Sequence, residues 1–295
     1  RGKPLVHESA RGILRGKEQR MISSTANAQI KYLVKLQEKG AARREDKVYV
    51  CEGRKMFGEV LTCARESIVK AYFAESFIAE WGSVPENMAH ISGIPYETVA
   101  DHVFGEISRT VTPQGVLAVV RQPEYHLDDL LSEEQAALRL LLLENLRDPG
   151  NLGTIMRTAE GAGISGVILS RESVDMFNPK VIRSTMGAIY RMPFVYVPDL
   201  AAVAVGLRQR GIMVCAAHLE GSVAYDTVEY PRRTALMVGN EANGLSDKAA
   251  QAADLRIRIP MEGEVESLNA AVAAAVLMYE TYRQERAGKA NRAKI

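Results

Sequence analysis

Three polar segments carry side chains suited to ligand chemistry, and each follows a predicted strand. They are residues 143–159, 236–246 and 259–280. The carboxyl ends of parallel strands meet at one edge of an open α/β sheet, where such sheets bind ligands. Their polar side chains are Asn145, Asn151, Arg157, Glu241, Ser267 and Asn269. Each segment alone is also typical of an ordinary turn, so the prediction of one ligand site depends on their combination.

The third segment predicts a strand, a loop and a helix. Apolar and basic residues alternate over 255–259, an acidic loop containing Gly263 follows, and an alanine-rich stretch continues to Glu280. Ser267 stands at the predicted N-cap, with Leu268 and Asn269 in the first helical turn. Backbone N–H groups at such a helix start could bind a polar ligand.

A glycine pattern elsewhere does not have the context of a dinucleotide site. Gly161, Gly163 and Gly166 satisfy G-x-G-x-x-G, but the dinucleotide fingerprint must follow a strand and open a helix. Here the pattern ends a predicted helix and precedes a predicted strand at 167–169. We interpret it as a helix C-cap and turn, which weakens the alternative of a nucleotide-dependent enzyme acting on a small molecule.

Two α/β domains are expected to carry these segments. Residues 21–120 predict a small domain with helices over 27–37, 54–63 and 75–81, strands over 48–51, 68–73 and 116–120, and a weak third strand over 91–94. Residues 121–136 are the predicted linker. Residues 137–284 predict an open parallel sheet with strands at 138–143, 167–169, 194–197, 212–216, 235–238 and 255–259, separated by helices at 153–162, 178–187, 200–211 and 247–253.

Composition indicates an ordinary globular protein of 295 residues, with 47% hydrophobic and 25% charged side chains. No apolar run is long enough to cross a bilayer and no signal-peptide pattern opens the chain, so we expect no membrane association and a cytoplasmic location. Three widely spaced cysteines and five scattered histidines predict neither a disulfide framework nor a metal site.

Both ends of the chain are basic although the net charge is only +1. Residues 1–20 carry six basic and two acidic side chains, and the stretch from Arg283 carries five basic and one acidic. Such ends favour a polyanionic partner, because Lys and Arg near phosphates release counterions. The alternative is that residues 1–20 and 285–295 are simply flexible, solvated tails.

Together, the three polar segments resemble a known family. Their patterns are Asn-x5-Asn-x-Gly-x3-Arg-x-Ala from Asn145, Gly-Asn-Glu-x2-Gly-Leu-Ser from Gly239, and Ile-Pro-Met followed by Ser-Leu-Asn-x-Ala from Ile259. These are similar to the three motifs of the SpoU or TrmH family of RNA ribose 2′-O-methyltransferases in the SPOUT class, over residues 137–281. Cys51-Glu-Gly-Arg54 and Thr112-Pro-Gln-Gly115 resemble the L30e-like substrate-binding domain that precedes many members.

The resemblance implies a deep trefoil knot in the parallel sheet, S-adenosylmethionine as cofactor, and a homodimer in which one chain's first motif completes the other's site. By motif position, the implied cofactor-binding residues are Gly239, Ile259, Pro260, Met261, Ser267 and Leu268, and the implied catalytic residues are Asn145, Arg157, Glu241 and Asn269. Two roles for Arg157 stay open. It could act as the base for the hydroxyl, or it could stabilise the developing alkoxide or grip the target phosphate, since a guanidinium of pKa above about 12 is a poor base.

RNA is the expected partner, with ribosomal RNA favoured over transfer RNA because members with this N-terminal domain include many ribosomal enzymes. The predicted RNA contacts are Asn151, Lys31, Lys35, Arg43, Arg44, Arg54 and Lys55. The alternatives are a transfer RNA 2′-O-methyltransferase and a ribosome-associated RNA-binding factor without catalytic activity.

Overall fold

The computed structural model describes residues 21–131 and 137–292, which form two compact units. The first unit contains the described residues up to Glu124 and the segment Asp175–Tyr190. The second contains Tyr125–Val174 and the described residues from Arg191 onward, apart from the gap after residue 131. The predicted basic stretch 1–20 and residues 293–295 lie outside the described residues. The predicted domain bounds remain a prediction, and residues 175–190 join the first unit although they fall within the predicted 137–284 domain.

The first unit is built on a mixed four-stranded sheet of order β1-β4-β2-β3. Its strands are β1 (Val48–Glu52), β2 (Ile68–Ala74), β3 (Tyr96–Val99) and β4 (Val116–Arg121). Strand β4 is antiparallel to β1 and β2, whereas β3 is parallel to β2. Its helices are α1 (Ala28–Glu38), α2 (Gly40–Asp46), α3 (Arg54–Cys63), α4 (Glu75–Trp81), α5 (Pro85–His90), α6 (Asp101–Ile107) and, from the segment after Val174, α9 (Pro179–Thr185).

The predicted third strand of this unit is wrong. Residues 91–94 form a turn in which the Ile94 N–H donates to the Ile91 carbonyl, and Gly93 has a φ of +80°. This turn buries both Ile91 and Ile94, which explains why these two positions are apolar. The strand begins two residues later, at Tyr96. Two apolar residues three apart thus indicated burial and not strand geometry.

The second unit contains a seven-stranded sheet of order β7-β6-β5-β10-β8-β11-β9, with every neighbouring pair parallel. This confirms the predicted open parallel sheet. Its strands are β5 (Leu138–Leu143), β6 (Gly166–Ser170), β7 (Phe194–Val197), β8 (Met213–Ala217), β9 (Val223–Ala224), β10 (Arg233–Val238) and β11 (Leu255–Arg258). Its helices are α7 (Leu127–Leu130), α8 (Pro149–Gly161), α10 (Leu200–Gln209), α11 (Asp247–Gln251) and α12 (Ala270–Arg292).

Strand β5 runs through the core of this unit, and all six of its residues are buried. Leu138, Leu140 and Leu142 pack with side chains of β8, β10 and helix α10 in one buried cluster. Leu141 and Leu143 are equally buried outside that cluster, which agrees with the apolar run typical of central parallel strands. The glycine pattern has the predicted role, because Gly161 ends α8, Gly163 turns the chain with a φ of +67°, and Gly166 begins β6.

Helix α12 differs from its prediction at both ends. Asn269, and not Ser267, caps it: the Asn269 Oδ1 accepts N–H bonds from Ala271 at 2.9 Å and Val272 at 3.3 Å. Asparagine is as good a cap as serine, and the helix starts at Ala270. The helix then continues to Arg292, so most of the predicted 285–295 tail is helical. A buried ion pair between Arg139 and Glu285, 2.9 Å long, ties this stretch to β5.

None of the described helices has the length and apolarity needed to cross a bilayer. Over the described ranges, no group of three His, Cys, Asp or Glu side chains lies close enough to hold a metal ion.

Candidate active site

Four strands of the second unit end side by side at one edge of the sheet, and the loops after three of them line one cavity. Leu143 pairs with Val238, Met237 with Ala216, and Ile257 with Ala217, so the loops after β5, β8, β10 and β11 emerge at the same edge. The cavity has a volume of about 480 Å³. Its lining comes from the loops after β8, β10 and β11 and from the first turns of α12. The carboxyl edge of the sheet, where a ligand site was expected, therefore contains a cavity.

Most of the predicted cofactor residues line this cavity. They are Gly239, Ile259, Met261, Ser267 and Leu268. Pro260 is exposed and is not a lining residue. The sequence motifs did not indicate the end of β8 and the loop after it, which contribute Ala217, His218, Leu219 and Glu220. The rule that ligands bind at carboxyl ends of strands could have identified it, because the strand before it was predicted.

Gly239 is packed against the far end of its own loop. A Cβ atom on Gly239 would lie 2.0 Å from the Gly244 carbonyl carbon and 2.2 Å from the Leu245 nitrogen. The loop closes through a pair of backbone hydrogen bonds between Asn240 and Gly244, 3.2 and 3.1 Å long. Only glycine fits at position 239 without moving this loop.

One chain of hydrogen bonds joins all three motifs. Asn151 donates its side-chain N–H to the Glu241 carboxylate, and its Oδ1 accepts from the Asn269 Nδ2 at 3.1 Å. Glu241 lines the cavity, so the chain reaches its wall. Both ends of the Asn151 carboxamide are engaged, which makes Asn151 a bridge between two predicted catalytic residues. Its predicted RNA contact remains untested.

A second carboxylate, that of Glu144 just before the first motif, holds the loop after β10 in place. Glu144 accepts the backbone N–H and the hydroxyl of Ser246, each at 2.7 Å. Ser246 is in turn the N-cap of α11. Glu144 was not among the predicted site residues, and its position directly after β5 was the signal that could have identified it.

Arg157 lies apart from the cavity of its own chain. It is an exposed residue on α8 and is not among the cavity-lining residues. Within the described ranges, its guanidinium has no hydrogen bond or ion pair to another side chain. The predicted catalytic arginine is therefore available to a molecule other than its own chain.

The predicted RNA-contacting cations of the first unit fall into two groups. Lys31, Lys35, Arg44, Arg54 and Lys55 are exposed. Arg43 is 3% exposed. Its guanidinium pairs with Asp175 at 2.6 Å and donates to the Leu36 carbonyl at 2.7 Å, so it holds the unit together and is not carried forward as an RNA contact.

The two sequence patterns of the first unit lie side by side. The Arg54 N–H donates to the Gln114 Oε1 at 2.9 Å, and Gly53 and Gly115 have φ values of +103° and +74°. The Arg54 guanidinium lies 4.7 Å from the centre of the Phe77 ring. Arg54, Phe77, Gln114 and Gly115 line a concavity of about 320 Å³, which places the charge of Arg54 at an accessible surface.

A parallel α/β sheet whose last two motif loops line one cavity agrees with the fold expected of the SPOUT class of RNA methyltransferases. The model of the SpoU rRNA Methylase family matches residues 139–279, and the model of the MRM3-like substrate binding domain matches residues 27–118.

Similar proteins cover almost the whole chain. The 23S rRNA (guanosine(2553)-2′-O)-methyltransferase RlmP of Bacillus subtilis is 32% identical over 88% of this chain and 98% of its own length. The AdoMet-bound rRNA methyltransferase of Sinorhizobium meliloti is 30% identical over 90% of this chain and 97% of its own, with a TM-score of 0.77. The SpoU methyltransferase AviRb of Streptomyces viridochromogenes in complex with AdoMet is 25% identical over 88% and 98%, with a TM-score of 0.75.

The chain belongs to the SpoU rRNA methylase family. This membership and the similar structures confirm the α/β fold class, the enzyme class and the cofactor that the three motifs predicted, whereas the trefoil knot stays a prediction.

Proposed function

We propose that the protein transfers the methyl group of S-adenosylmethionine to a ribose 2′-hydroxyl of ribosomal RNA in the cytoplasm. The hydrogen-bonded chain from Glu241 through Asn151 to Asn269 carries this proposal, because it joins all three motifs at the wall of one cavity. The relatives named for ribosomal RNA methylation match nearly end to end, which favours ribosomal over transfer RNA.

The cavity fits S-adenosylmethionine in size and charge. Its volume of about 480 Å³ lies within the roughly 300–1,000 Å³ of small-molecule sites. Four lining carboxylates, those of Glu220, Glu241, Asp247 and Glu266, accompany a single lining arginine. Such a lining favours a ligand that carries a sulfonium and an ammonium group. When bound, the cofactor supplies an electrophilic methyl group.

The chain's own residues position the reactants. Gly239, Ile259 and Leu268 would hold the cofactor largely through backbone groups, as the tight 239–245 loop allows. The Asn151 bridge fixes the orientation of Glu241 and Asn269, and we assign Glu241 to orienting this loop. Arg157 would stabilise negative charge on the attacking 2′-oxygen or bind the target phosphate, the roles that a permanently charged guanidinium performs best.

We propose a homodimer, in which the partner subunit supplies the arginine to each cavity. Arg157 is exposed and does not line the cavity of its own chain. On α12, the helix packed against α8, Val272 and Tyr279 are each 48% exposed, and apolar side chains of this kind suit a symmetric interface. We further propose that the segment around Gly239 to Leu268 forms the trefoil knot of the class.

The basic surface of the first unit would bind the RNA backbone. If Lys31, Lys35, Arg44, Arg54 and Lys55 are all replaced by glutamine, we expect RNA affinity to fall and its dependence on salt to flatten. Each lost phosphate contact removes about 0.7–0.9 from the slope of log affinity against log salt concentration. The measurement is RNA binding by fluorescence anisotropy at several salt concentrations.

Lys47 and Arg109 provide a matched control on the same unit. Both are exposed, but they are paired with Glu124 and Glu38, so their replacement by glutamine should change the slope little. An unchanged slope in the five-residue variant would show that RNA binds elsewhere.

The proposed activity is tested by mapping 2′-O-methyl groups in ribosomal and transfer RNA from cells with and without the gene. Loss of one ribosomal RNA site, restored by the purified protein and labelled S-adenosylmethionine, is the expected result. Loss at a transfer RNA site would support the transfer RNA alternative. No transfer to either RNA would support the non-catalytic RNA-binding factor.

A further inference from the structure

The turn after β5 is held by two buried hydroxyl groups from the end of β6 and the residues that follow it. Asn145 has a φ of +53°, in the left-handed region. Its backbone N–H donates to the Ser170 Oγ at 2.8 Å, and the Ser170 hydroxyl donates to the Asn145 Oδ1 at 3.1 Å. Ser170 is 4% exposed. Serine therefore clamps both the backbone and the side chain of Asn145.

Ser173 makes a similar but simpler contact with the next residue. Its Oγ accepts the Leu146 N–H at 3.2 Å and lies 3.2 Å from the Ser170 Oγ. It makes no hydrogen bond to the Asn145 side chain among those found in the described residues. The two serines thus share the work of holding the turn, but only Ser170 fixes the Asn145 carboxamide.

The clamp leaves one end of the carboxamide available. Its oxygen is used by Ser170, whereas its Nδ2, with two N–H donors, has no acceptor within the described ranges. Asn145 is only half-buried. It directly follows Glu144, which binds Ser246 of the cavity loop, so these donors lie at the edge of the sheet where the cavity opens.

We propose that Ser170 is a positioning residue for RNA: it orients the Asn145 carboxamide so that its Nδ2–H groups bind a phosphate oxygen of the substrate strand. This inference depends on the proposed function for its substrate. A carboxamide with its oxygen already satisfied presents only donors, which suits a phosphate group. A fixed donor binds better than a mobile one, because less conformational entropy is lost on binding.

The test measures RNA affinity and kcat/KM for S170A, N145G, the double variant, S170T and S173A. Glycine at 145 removes the side chain and tolerates the left-handed backbone. We expect S170A and N145G each to lower RNA affinity by about tenfold, the loss typical of one charge-assisted hydrogen bond. The affinity for S-adenosylmethionine should not change. S170T keeps the hydroxyl group that S170A lacks, so its RNA affinity should stay near that of the wild type.

The double variant should be no worse than N145G, because Ser170 acts through Asn145. Two results would overturn the proposal. One is a loss of RNA affinity in the double variant equal to the sum of the two single losses, and the other is a loss in S173A as large as that in S170A at the same melting temperature. Either result shows that a general loosening of the turn is responsible. RNA affinity is measured without the cofactor. It therefore decides the role of Ser170 even if the wild-type protein transfers no methyl group and the proposed function fails.

Discussion

Replacing Arg157 with alanine should lower the rate of methyl transfer by about 10²–10³-fold, the loss typical when one preorganised charge-stabilising group is removed. The affinity for S-adenosylmethionine should stay near that of the wild type, because Arg157 does not line the cofactor cavity of its own chain. The measurement is single-turnover transfer of a labelled methyl group to the unmethylated form of the target RNA, with cofactor affinity obtained by calorimetry.

Lysine at position 157 separates two explanations of that loss. Lysine keeps the positive charge but lacks the planar pair of donors that binds a phosphate or carboxylate. A partial rescue by R157K would favour charge stabilisation, and a loss equal to that of R157A would favour two-point binding. Arg210, an exposed arginine of the same unit with a long ion pair of 3.7 Å to Asp128, is the control, and R210A should methylate normally. If R157A transfers the methyl group at the wild-type rate, Arg157 does not take part in the reaction.

Replacing Gly239 with alanine should abolish most cofactor binding. The new Cβ atom would lie 2.0 Å from the Gly244 carbonyl carbon, so the 239–245 loop must shift away from its present position. Such overpacking costs roughly 1–3 kcal/mol, which corresponds to about a 5- to 150-fold loss of affinity if the whole cost falls on the cofactor-bound state. The measurement is calorimetric titration with S-adenosylmethionine, with melting temperature as the check on folding.

Gly206 offers a matched glycine control. It lies within helix α10, where an added Cβ meets no atom within 4 Å, so G206A should bind the cofactor as the wild type does. An unchanged cofactor affinity in G239A would show that the cofactor does not bind in this cavity.

The two variants together test the proposed dimer. In a mixed dimer, the G239A chain supplies an intact Arg157 to the intact cavity of the R157A chain. If the subunits exchange freely, a mixture of equal amounts should recover roughly a quarter of the wild-type activity, because half of the dimers are mixed and each has one complete site. Activity that stays at the level of the separate variants would indicate that each chain uses its own arginine.

The limits of the sequence are clear at three positions. Arg43 looked like its neighbour Arg44, since composition does not show which face of a short helix is buried; its partner Asp175 is 132 residues away. Ser267 and Asn269 are both good helix caps, and only the folded path of the loop places the Asn269 side chain on the first free N–H groups of the helix. Ile91 and Ile94 are buried by a turn and not by a strand, and apolar residues alone do not distinguish these two reasons for burial.

By itself, the sequence determined the elements and the class of the protein. Parallel strands buried on both faces require continuous apolar runs, and the ends of the runs at 138–143, 235–238 and 255–259 located the three motif segments. The spacing of residues within each motif is local and so could be recognised directly. Tertiary structure alone decided which groups meet: Asn151 with Glu241 and Asn269, Ser170 with Asn145, and the loop after β8 with the cavity. These contacts join residues far apart in the chain, and they exist only once the strands have aligned their carboxyl ends at one edge.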